Sequence, residues 1–514
     1  MLTSVEKFLN HHRFLIFHSL LPLTFFLFTF VLMPMGDVFQ FDTDEGQEMI
    51  KALLYQQGYS LYSEIWSDQP PLFTLILDQW LKIWGNSILA ARSLILCFAT
   101  LLIWTFAQLL RLTLGNIYAL LGAFLLAISC NFFRLSVSVM IGLPALAFAL
   151  LSIYSLFRYL EQQKKGYWLI FSGLFFGISL QFKMFTLLLI PLIVAYLFIF
   201  SWQQNQTDLI PKYLPRSFTQ IFTILSPIIS FFLALSLTYL LPFFLLPQLS
   251  LEQIFQNHID TDLKSVFARE NSVLDTLVMY LQELDYTLLA ALTLPSLFQF
   301  KQIELKQFPL FWLIVATIML INHKPIWYHH AQLISIPLTW LAVFSIKSVL
   351  ETLEKHPVLP ALQQRKWSEV MPRNVAVYFL IFSLAVIPVK LAITHLNNQS
   401  LLRASQAENS ILQALIKTYP NTQWLFTDIP MYAVYAHWQV PPEIATLSRK
   451  RVASDEFTRE YLDELILKYQ PEQVLMARFP EVLSYFEQSP IIDYHEVKRY
   501  KGATHYLRQN LMKN

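Results

Sequence analysis

The chain has 514 residues, of which 55% are hydrophobic and only 14% are charged, a composition that excludes an ordinary soluble globular protein. The formal net charge is +2 and no long run of Lys or Arg occurs, so nucleic acid is not expected as a partner. Both cysteines, Cys97 and Cys130, lie in apolar segments, which excludes a disulfide framework and a cysteine metal site.

About eleven apolar segments predict membrane-spanning helices, because runs of roughly 18 to 25 apolar residues match the thickness of a hydrocarbon core. They lie near 14–33, 88–110, 116–133, 137–157, 167–182, 184–202, 217–244, 277–300, 308–322, 326–346 and 374–394. The first segment is long and lacks a small-residue cleavage site, so we expect it to be retained as a helix.

Charged residues predict the orientation of these helices. If the N-terminus is cytoplasmic, each predicted inside loop in turn carries Lys or Arg, as the positive-inside rule requires. The segment 34–87, which is rich in Asp and Glu, then lies outside. Because the number of spans is odd, the polar tail from 396 to 514 is expected outside as well.

An acidic sequence follows the first span directly and contains Asp42, Asp44 and Glu45. A carboxylate at the membrane surface can deprotonate an attacking hydroxyl if neighbouring groups tune its pKa. The same residues could instead keep a loop soluble and reinforce the orientation. Residues 47–57 predict a short amphipathic helix suited to the membrane interface, and Asp68 precedes two prolines in a turn where it could act in catalysis or cap a helix.

A second polar cluster, 322–330, is dense in aromatic and histidine side chains at a predicted outer end. Its Tyr328, His329 and His330 favour substrate contact or an aromatic belt over a metal site, since further ligands at set spacings are lacking. His258 lies in the loop before the eighth span, where it could cover a site or simply be solvated.

The tail, 396–514, predicts a separate small α/β domain. The pattern indicates a helix over 401–419, a strand at 424–427, helices near 430–438 and 454–469, a strand at 473–477 and two β-like runs at the end. Motifs for a nucleotide cradle, a serine hydrolase or a zinc protease do not occur in the sequence.

Five motifs in chain order resemble the C-type, multi-spanning glycosyltransferases. The sequence is similar in style to the bacterial branch of the dolichyl-phosphate-mannose protein mannosyltransferase family and to the lipid A aminoarabinose transferases. The motifs are Asp44-Glu45-Gly46-Gln47-Glu48-Met49-Ile50, Gly58-Tyr59, Asp68-Gln69-Pro70-Pro71-Leu72, Trp84-Gly85-Asn86-Ser87 and Ala91-Arg92-Ser93. Gly173, Gly177, Lys183 and Pro191, followed by His329, His330 and Pro337, extend the resemblance over most of 35–345.

The resemblance implies an inverting transfer of a hexose or pentose from a polyprenyl-phosphate donor to an acceptor hydroxyl. Asp44 would be the general base, with Glu45 and Asp68 as further catalytic residues. Cations that would bind the donor phosphate, or otherwise snorkel to the headgroups, are Lys183, Arg92, Arg134 and Lys324. Residues that would contact substrate are Asp42, Tyr59, His258, Tyr328, His329 and His330. The aminoarabinose transferases carry an Arg and a Lys where this chain has Gln47 and Gln69, which argues against lipid A modification.

The resemblance also implies a bacterial inner membrane location, membrane lipids as neighbours, and a lipid, glycan or protein acceptor. No cofactor is required, and a divalent cation stays an open question. A transporter or flippase for a lipid-linked sugar and a structural assembly subunit are the alternatives. A transporter predicts internal symmetry and charged or broken helices near mid-membrane, whereas the acidic and histidine clusters here are expected at one face.

Overall fold

The computed structural model describes residues 2–161, 165–207, 216–246, 248–249, 253–254, 270–297, 304–355, 367–454, 456–488 and 490–512. Its helices are Leu2–His11, Arg13–Leu32, Asp44–Gln56, Leu72–Trp84, Ile88–Leu114, Asn116–Ala127, Cys130–Leu135, Gly142–Glu161, Gly166–Phe182, Ile190–Thr207, Arg216–Leu245, Ser272–Gln282, Leu284–Leu297, Phe308–Ile321, Gln332–Lys355, Trp367–Thr418, Met431–Ala436, Arg449–Ala453, Arg459–Tyr469 and Pro480–Glu487. Its strands are β1 (Leu425–Thr427), β2 (Gln473–Met476), β3 (Tyr494–Tyr500) and β4 (Ala503–Arg508).

The apolar helices form a bundle that confirms the predicted polytopic architecture. Within the described ranges, seven helices are long and apolar enough to cross a membrane: Arg13–Leu32, Ile88–Leu114, Gly142–Glu161, Met184–Gln203, Ile224–Phe244, Tyr328–Glu351 and Val375–Thr418. Four shorter apolar helices are Asn116–Ala127, Gly166–Phe182, Leu284–Thr293 and Leu305–Ile321. Together they coincide with the eleven segments that the hydropathy pattern predicts.

The small-residue helix, Gly166–Phe182, packs closely against Arg216–Leu245. A Cβ atom added to Gly173 would lie 2.4 Å from the carbonyl oxygen of Phe231. A Cβ atom on Gly177 would lie 2.6 Å from that of Leu235. These glycines therefore let two backbones meet, as small residues do in membrane helix pairs.

The eighth predicted span differs from a single helix over 277–300. It consists of Ser272–Gln282 and Leu284–Leu297, which are interrupted at Glu283. The buried carboxylate of Glu283 accepts hydrogen bonds from the Ser129 hydroxyl and from the Lys390 ammonium, the latter at 2.8 Å. Lys390 lies 2.8 Å from Asp285 as well. This buried ion cluster joins the interrupted helix to the helix that carries the C-terminal domain.

That helix, Trp367–Thr418, is 52 residues long and is called the linking helix below. It runs through the predicted domain boundary at 395/396, so the predicted span 374–394 and the predicted helix 401–419 are one continuous element. The α/β elements begin after it, at Leu425. The division at 395/396 itself stays a prediction.

The C-terminal sheet has the strand order β1-β2-β4-β3. Strands β1 and β2 are parallel with Phe426 opposite Val474, whereas the other neighbouring pairs are antiparallel. Phe426 and Tyr506 both pack against Phe486 of the helix Pro480–Glu487. The sheet and its helices confirm the predicted small α/β fold at this end of the chain.

The acidic helix, Asp44–Gln56, lies between the helix bundle and the C-terminal domain. Most of its residues are buried, so it is covered by protein, unlike the surface amphipathic helix that the sequence suggests. Gly46 marks the closest approach, since a Cβ atom there would lie 2.7 Å from the backbone nitrogen of Met431. Beside it, the Tyr435 hydroxyl donates to the carbonyl oxygen of Phe39 at 3.1 Å. These contacts dock the C-terminal domain onto the first loop.

Candidate active site

A cavity of about 1610 Å³ lies where the helix bundle meets the C-terminal domain. Residues from the first loop, the histidine cluster and the C-terminal domain all line it. Predicted site residues in the lining are Asp42, Asp44, Asp68, Lys183, Tyr328, His329 and His330. The structure thus brings together predicted site residues as far apart in sequence as Asp42 and His330.

Asp44 is the first residue of the acidic helix, and its carboxyl group is half-buried in the cavity wall. Burial raises the pKa of Asp44, while the positive charges of Lys183 and Arg478 oppose that rise. A carboxylate with a raised pKa is a stronger base once it is ionised. Asp44 therefore combines exposure to the cavity with tuned basicity.

Lys183 follows directly after the helix Gly166–Phe182, where its extended backbone ends the helix. Its ammonium donates a hydrogen bond to Nε2 of His329 over 2.6 Å. The imidazole ring packs beside Gly142, where a Cβ atom would lie 3.7 Å from it, an ordinary contact distance. The histidine ring therefore holds the lysine charge at the cavity wall.

Asp42 forms a second electrostatic pair in the same wall. One of its oxygens lies 3.7 Å from the guanidinium of Arg134, which sits 4.7 Å from the centre of the Tyr328 ring and donates to the carbonyl oxygen of Phe41. Burial and the nearby Asp44 charge raise the pKa of Asp42 to about 6. Arg134 is not in the cavity lining but contacts two residues that are.

Glu45 and Arg92 lie behind the cavity wall, and their position does not support the predicted catalytic and phosphate-binding roles. Both side chains are 0% exposed and form an ion pair at 2.8 Å. Arg92 also donates to the carbonyl oxygens of Met35 and Val38 at 2.6 and 2.8 Å. Glu45 accepts from the backbone nitrogen of Val139 at 2.9 Å. The pair fixes the first loop against the bundle.

Two other predicted residues, Tyr59 and Lys324, are outside the cavity lining. A third, His258, falls outside the described residues. Among the described residues, no group of three or more His, Cys, Asp or Glu side chains is arranged to hold a metal ion. The substrate-binding roles of Tyr59 and His258 and the phosphate-binding role of Lys324 stay predictions, as does the involvement of a divalent cation.

The C-terminal domain supplies lining residues that the sequence analysis missed. They are Thr446, Ser448, Arg449, Lys450, Val452, Ala453, Arg478, Phe479, Pro480 and Glu481. The run Arg449-Lys450-Arg451 was a visible signal, and Arg478 follows the end of a strand. Neither signal could locate the cavity, because nothing in the sequence showed that the tail folds back onto the acidic helix.

Apolar side chains also line the cavity. On the bundle side they include Met184, Phe185, Leu187, Leu188 and Met319. Met184–Leu189 is a 3-10 turn that follows Lys183 directly, so apolar lining residues come immediately after the lysine in the chain. A cavity of this kind can accommodate a ligand with a charged head and a lipid chain.

Comparison with solved structures identifies this architecture. ArnT from Cupriavidus metallidurans, in the apo state, superposes with a TM-score of 0.58 and 13% sequence identity over 97% of this chain and 98% of that one. The chain has the fold of ArnT. The same protein bound to undecaprenyl phosphate gives a TM-score of 0.58 at 12% identity, covering 96% of this chain and 97% of that one.

Two further comparisons agree with the ArnT fold. The oligosaccharyltransferase AglB from Archaeoglobus fulgidus, in complex with an inhibitory peptide and a dolichol-phosphate, superposes with a TM-score of 0.50 and 13% identity over 90% of this chain and 70% of that one. Residues 68–231 match the sequence family described as dolichyl-phosphate-mannose-protein mannosyltransferase. No curated protein matches the chain by sequence. The resemblance to C-type glycosyltransferases that the motifs indicate is therefore confirmed.

Proposed function

We propose that this protein is a membrane glycosyltransferase that moves a sugar from a polyprenyl-phosphate donor to an acceptor hydroxyl, with inversion. The observation that carries the proposal is the position of Asp44 and Lys183 in one cavity that also has apolar lining residues directly after the lysine in the chain. A lipid-linked sugar phosphate combines the same charged and apolar parts. Proteins with this fold have been seen with undecaprenyl phosphate and with dolichol-phosphate bound.

In the proposed reaction, the Asp44 carboxylate takes the proton of the acceptor hydroxyl as its oxygen attacks the anomeric carbon. The bond from that carbon to the phosphate oxygen breaks, and the polyprenyl phosphate leaves with the electron pair. A single displacement from the opposite side inverts the anomeric configuration. Charge accumulates on the departing phosphate, and a fixed ammonium such as that of Lys183 stabilises it.

Neighbouring groups support these two roles. The hydrogen bond to His329 holds the Lys183 ammonium in place, so little reorganisation is needed when negative charge develops. Asp68 and Asp42 also line the cavity and could orient the acceptor or the sugar through hydrogen bonds. The choice of sugar and of acceptor is set by the shape of the cavity and by the hydrogen bonds that it offers.

The test is sugar transfer by the purified full chain with a panel of polyprenyl-phosphate hexoses and pentoses. The measured quantity is the release of polyprenyl phosphate. We expect Asp44→Asn to lower the rate about 10²- to 10⁴-fold, which is the usual contribution of a general base. Asp37→Asn is the matched control, because Asp37 is an exposed carboxylate of the same loop. Full activity of the Asp44 variant would show that Asp44 is not the general base.

The same purified protein tests the alternative function, which is transport of a lipid-linked sugar across the membrane. Movement of a fluorescent lipid-linked sugar across reconstituted vesicles, without any sugar transfer, would favour a flippase. The charged lining gathers at the end of the bundle that meets the C-terminal domain, whereas transporters place their binding sites near the middle of the membrane. This arrangement favours transfer over transport.

A further inference from the structure

The cavity has two electrically different sides. From the bundle and its first loop come four carboxylates, of Asp42, Asp44, Glu48 and Asp68, and two lysines, Lys51 and Lys183. From the C-terminal domain come three cations, of Arg449, Lys450 and Arg478, and one carboxylate, of Glu481. An anionic part of a ligand is therefore attracted by the lining of the C-terminal domain and repelled by the carboxylates of the bundle and the first loop.

Arg478 is held rigidly at the cavity wall by a buried carboxylate. Asp428 is 0% exposed, and its oxygens accept hydrogen bonds from the backbone nitrogens of Ala477, Arg478 and Phe479 at 3.0, 2.5 and 3.0 Å. The Arg478 guanidinium donates in turn to the Asp428 carbonyl oxygen at 3.4 Å. The segment that carries Arg478 is thus fixed on both its backbone and its side chain.

The backbone segment that bears Lys450 is anchored through the neighbouring residue Arg451, which is 2% exposed. Arg451 donates to the carbonyl oxygens of Glu443 and Thr446 at 2.7 and 3.0 Å. Its guanidinium lies 4.4 Å from the centre of the Trp66 ring in the first loop. The short segment bearing Lys450 is therefore anchored both within its own domain and against the bundle.

The anchored cations line the same cavity as Asp44, Lys183 and His330. The charge of Arg478 acts on Asp44, and the charge of Lys450 acts on both Lys183 and His330. Because the C-terminal lining carries three cations and one carboxylate, the fixed positive charge contributed by that domain attracts an anionic ligand. Preorganised cations of this kind are a general way of building a phosphate site.

We propose that Arg478 and Lys450 of the C-terminal domain form, together with Lys183, a phosphate-binding site that faces Asp44. The inference rests on the proposed function in that Asp44 marks the reacting centre, but binding at the site does not require transfer. The phosphate could belong to the polyprenyl donor or to a phosphorylated acceptor. In either case the C-terminal domain completes the active site.

The test is binding by the full chain in detergent, with undecaprenyl phosphate and inorganic phosphate as the probes. The variants are Arg478→Gln and Lys450→Gln, which lie in separately anchored segments. Arg499→Gln is the matched control, because Arg499 is an arginine of the same domain with its side chain 57% exposed. Thermal unfolding of each variant checks that it is folded, and Arg478→Met, which also removes the charge, replaces Arg478→Gln if the latter is not.

If the site holds the donor phosphate, each cavity variant raises the Kd for undecaprenyl phosphate about tenfold or more, as expected for a lost charge-assisted hydrogen bond. If it holds an acceptor phosphate, that Kd is unchanged, while inorganic phosphate bound in the presence of saturating undecaprenyl phosphate is lost. Wild-type binding of both probes by both folded variants would overturn the proposal. So would an equal loss in the Arg499 variant, which would show nonspecific charge attraction. Because no step of the assay needs catalysis, a failure of the proposed transfer reaction is seen separately.

Discussion

Replacing Arg92 by Met distinguishes a structural from a phosphate-binding arginine. Arg92 donates to both oxygens of Glu45, at 3.2 and 2.8 Å, and to the carbonyl oxygens of Met35 and Val38, at 2.6 and 2.8 Å. The substitution leaves the Glu45 carboxylate, which is 0% exposed, with only backbone partners. Breaking such a buried pair from one side costs about 3–5 kcal/mol of the free energy of unfolding.

The assay is equilibrium unfolding in mixed micelles, applied to Arg92→Met, Glu45→Gln and the double variant. The double variant should be less destabilised than the sum of the single variants, because no unpaired charge is left buried; the difference is expected to be about 0.5–3 kcal/mol. Arg499→Met serves as the control, since its side chain is largely exposed. If the Arg92 variant were as stable as the wild type but bound undecaprenyl phosphate weakly, Arg92 would be a ligand and the structural reasoning would be refuted.

Three further predictions concern protonation, domain docking and the buried ion cluster. Burial and a neighbouring carboxylate raise the pKa of Asp42 to about 6, and burial raises the pKa of Asp44. Because the reaction needs the ionised carboxylates, the transfer rate should fall as the pH decreases through about 6. A rate that stays constant down to pH 4 would contradict this prediction. Gly46→Ala would place a Cβ atom 2.7 Å from the backbone nitrogen of Met431, so we expect weaker docking of the C-terminal domain. Limited proteolysis should then show faster cleavage near the linking helix. Gly36→Ala is the control and should leave cleavage unchanged, because nothing lies within 4 Å of its Cβ position. Lys390→Met leaves Glu283 buried without its cation, which should cost about 3–5 kcal/mol of the free energy of unfolding. The unfolding assay described above measures this cost. Wild-type stability of the variant would show that the cluster is already neutral.

The sequence by itself determined much of this protein. Hydropathy located the apolar helices, because the need to satisfy every backbone group in lipid leaves few choices other than a helix. Local patterning located the strands of the tail and its helices near 430–438 and 454–469, but it missed the helices Arg449–Ala453 and Pro480–Glu487. The ordered motifs indicated the C-type glycosyltransferase resemblance. Asp44 and Lys183 were singled out by those motifs, and the structure places both in the cavity lining.

Tertiary structure decided which charged residues could meet a ligand. Glu45 lies next to Asp44 in the same motif, yet successive residues of a helix point in different directions, so one carboxylate faces the cavity and the other pairs with Arg92 behind it. Spacing along the chain could not predict that separation without knowing what covers each face of the acidic helix.

Tertiary structure also decided the part played by the C-terminal domain. The sequence presented residues 396–514 as a separate unit, because its composition changes abruptly there. The contact of Gly46 with Met431 and the stacking of Arg451 on Trp66 bring the domain back to the first loop across almost four hundred residues. Such long-range docking depends on the complementarity of two folded surfaces, and it places Arg478 in the lining of the same cavity as Asp44, which no local pattern records.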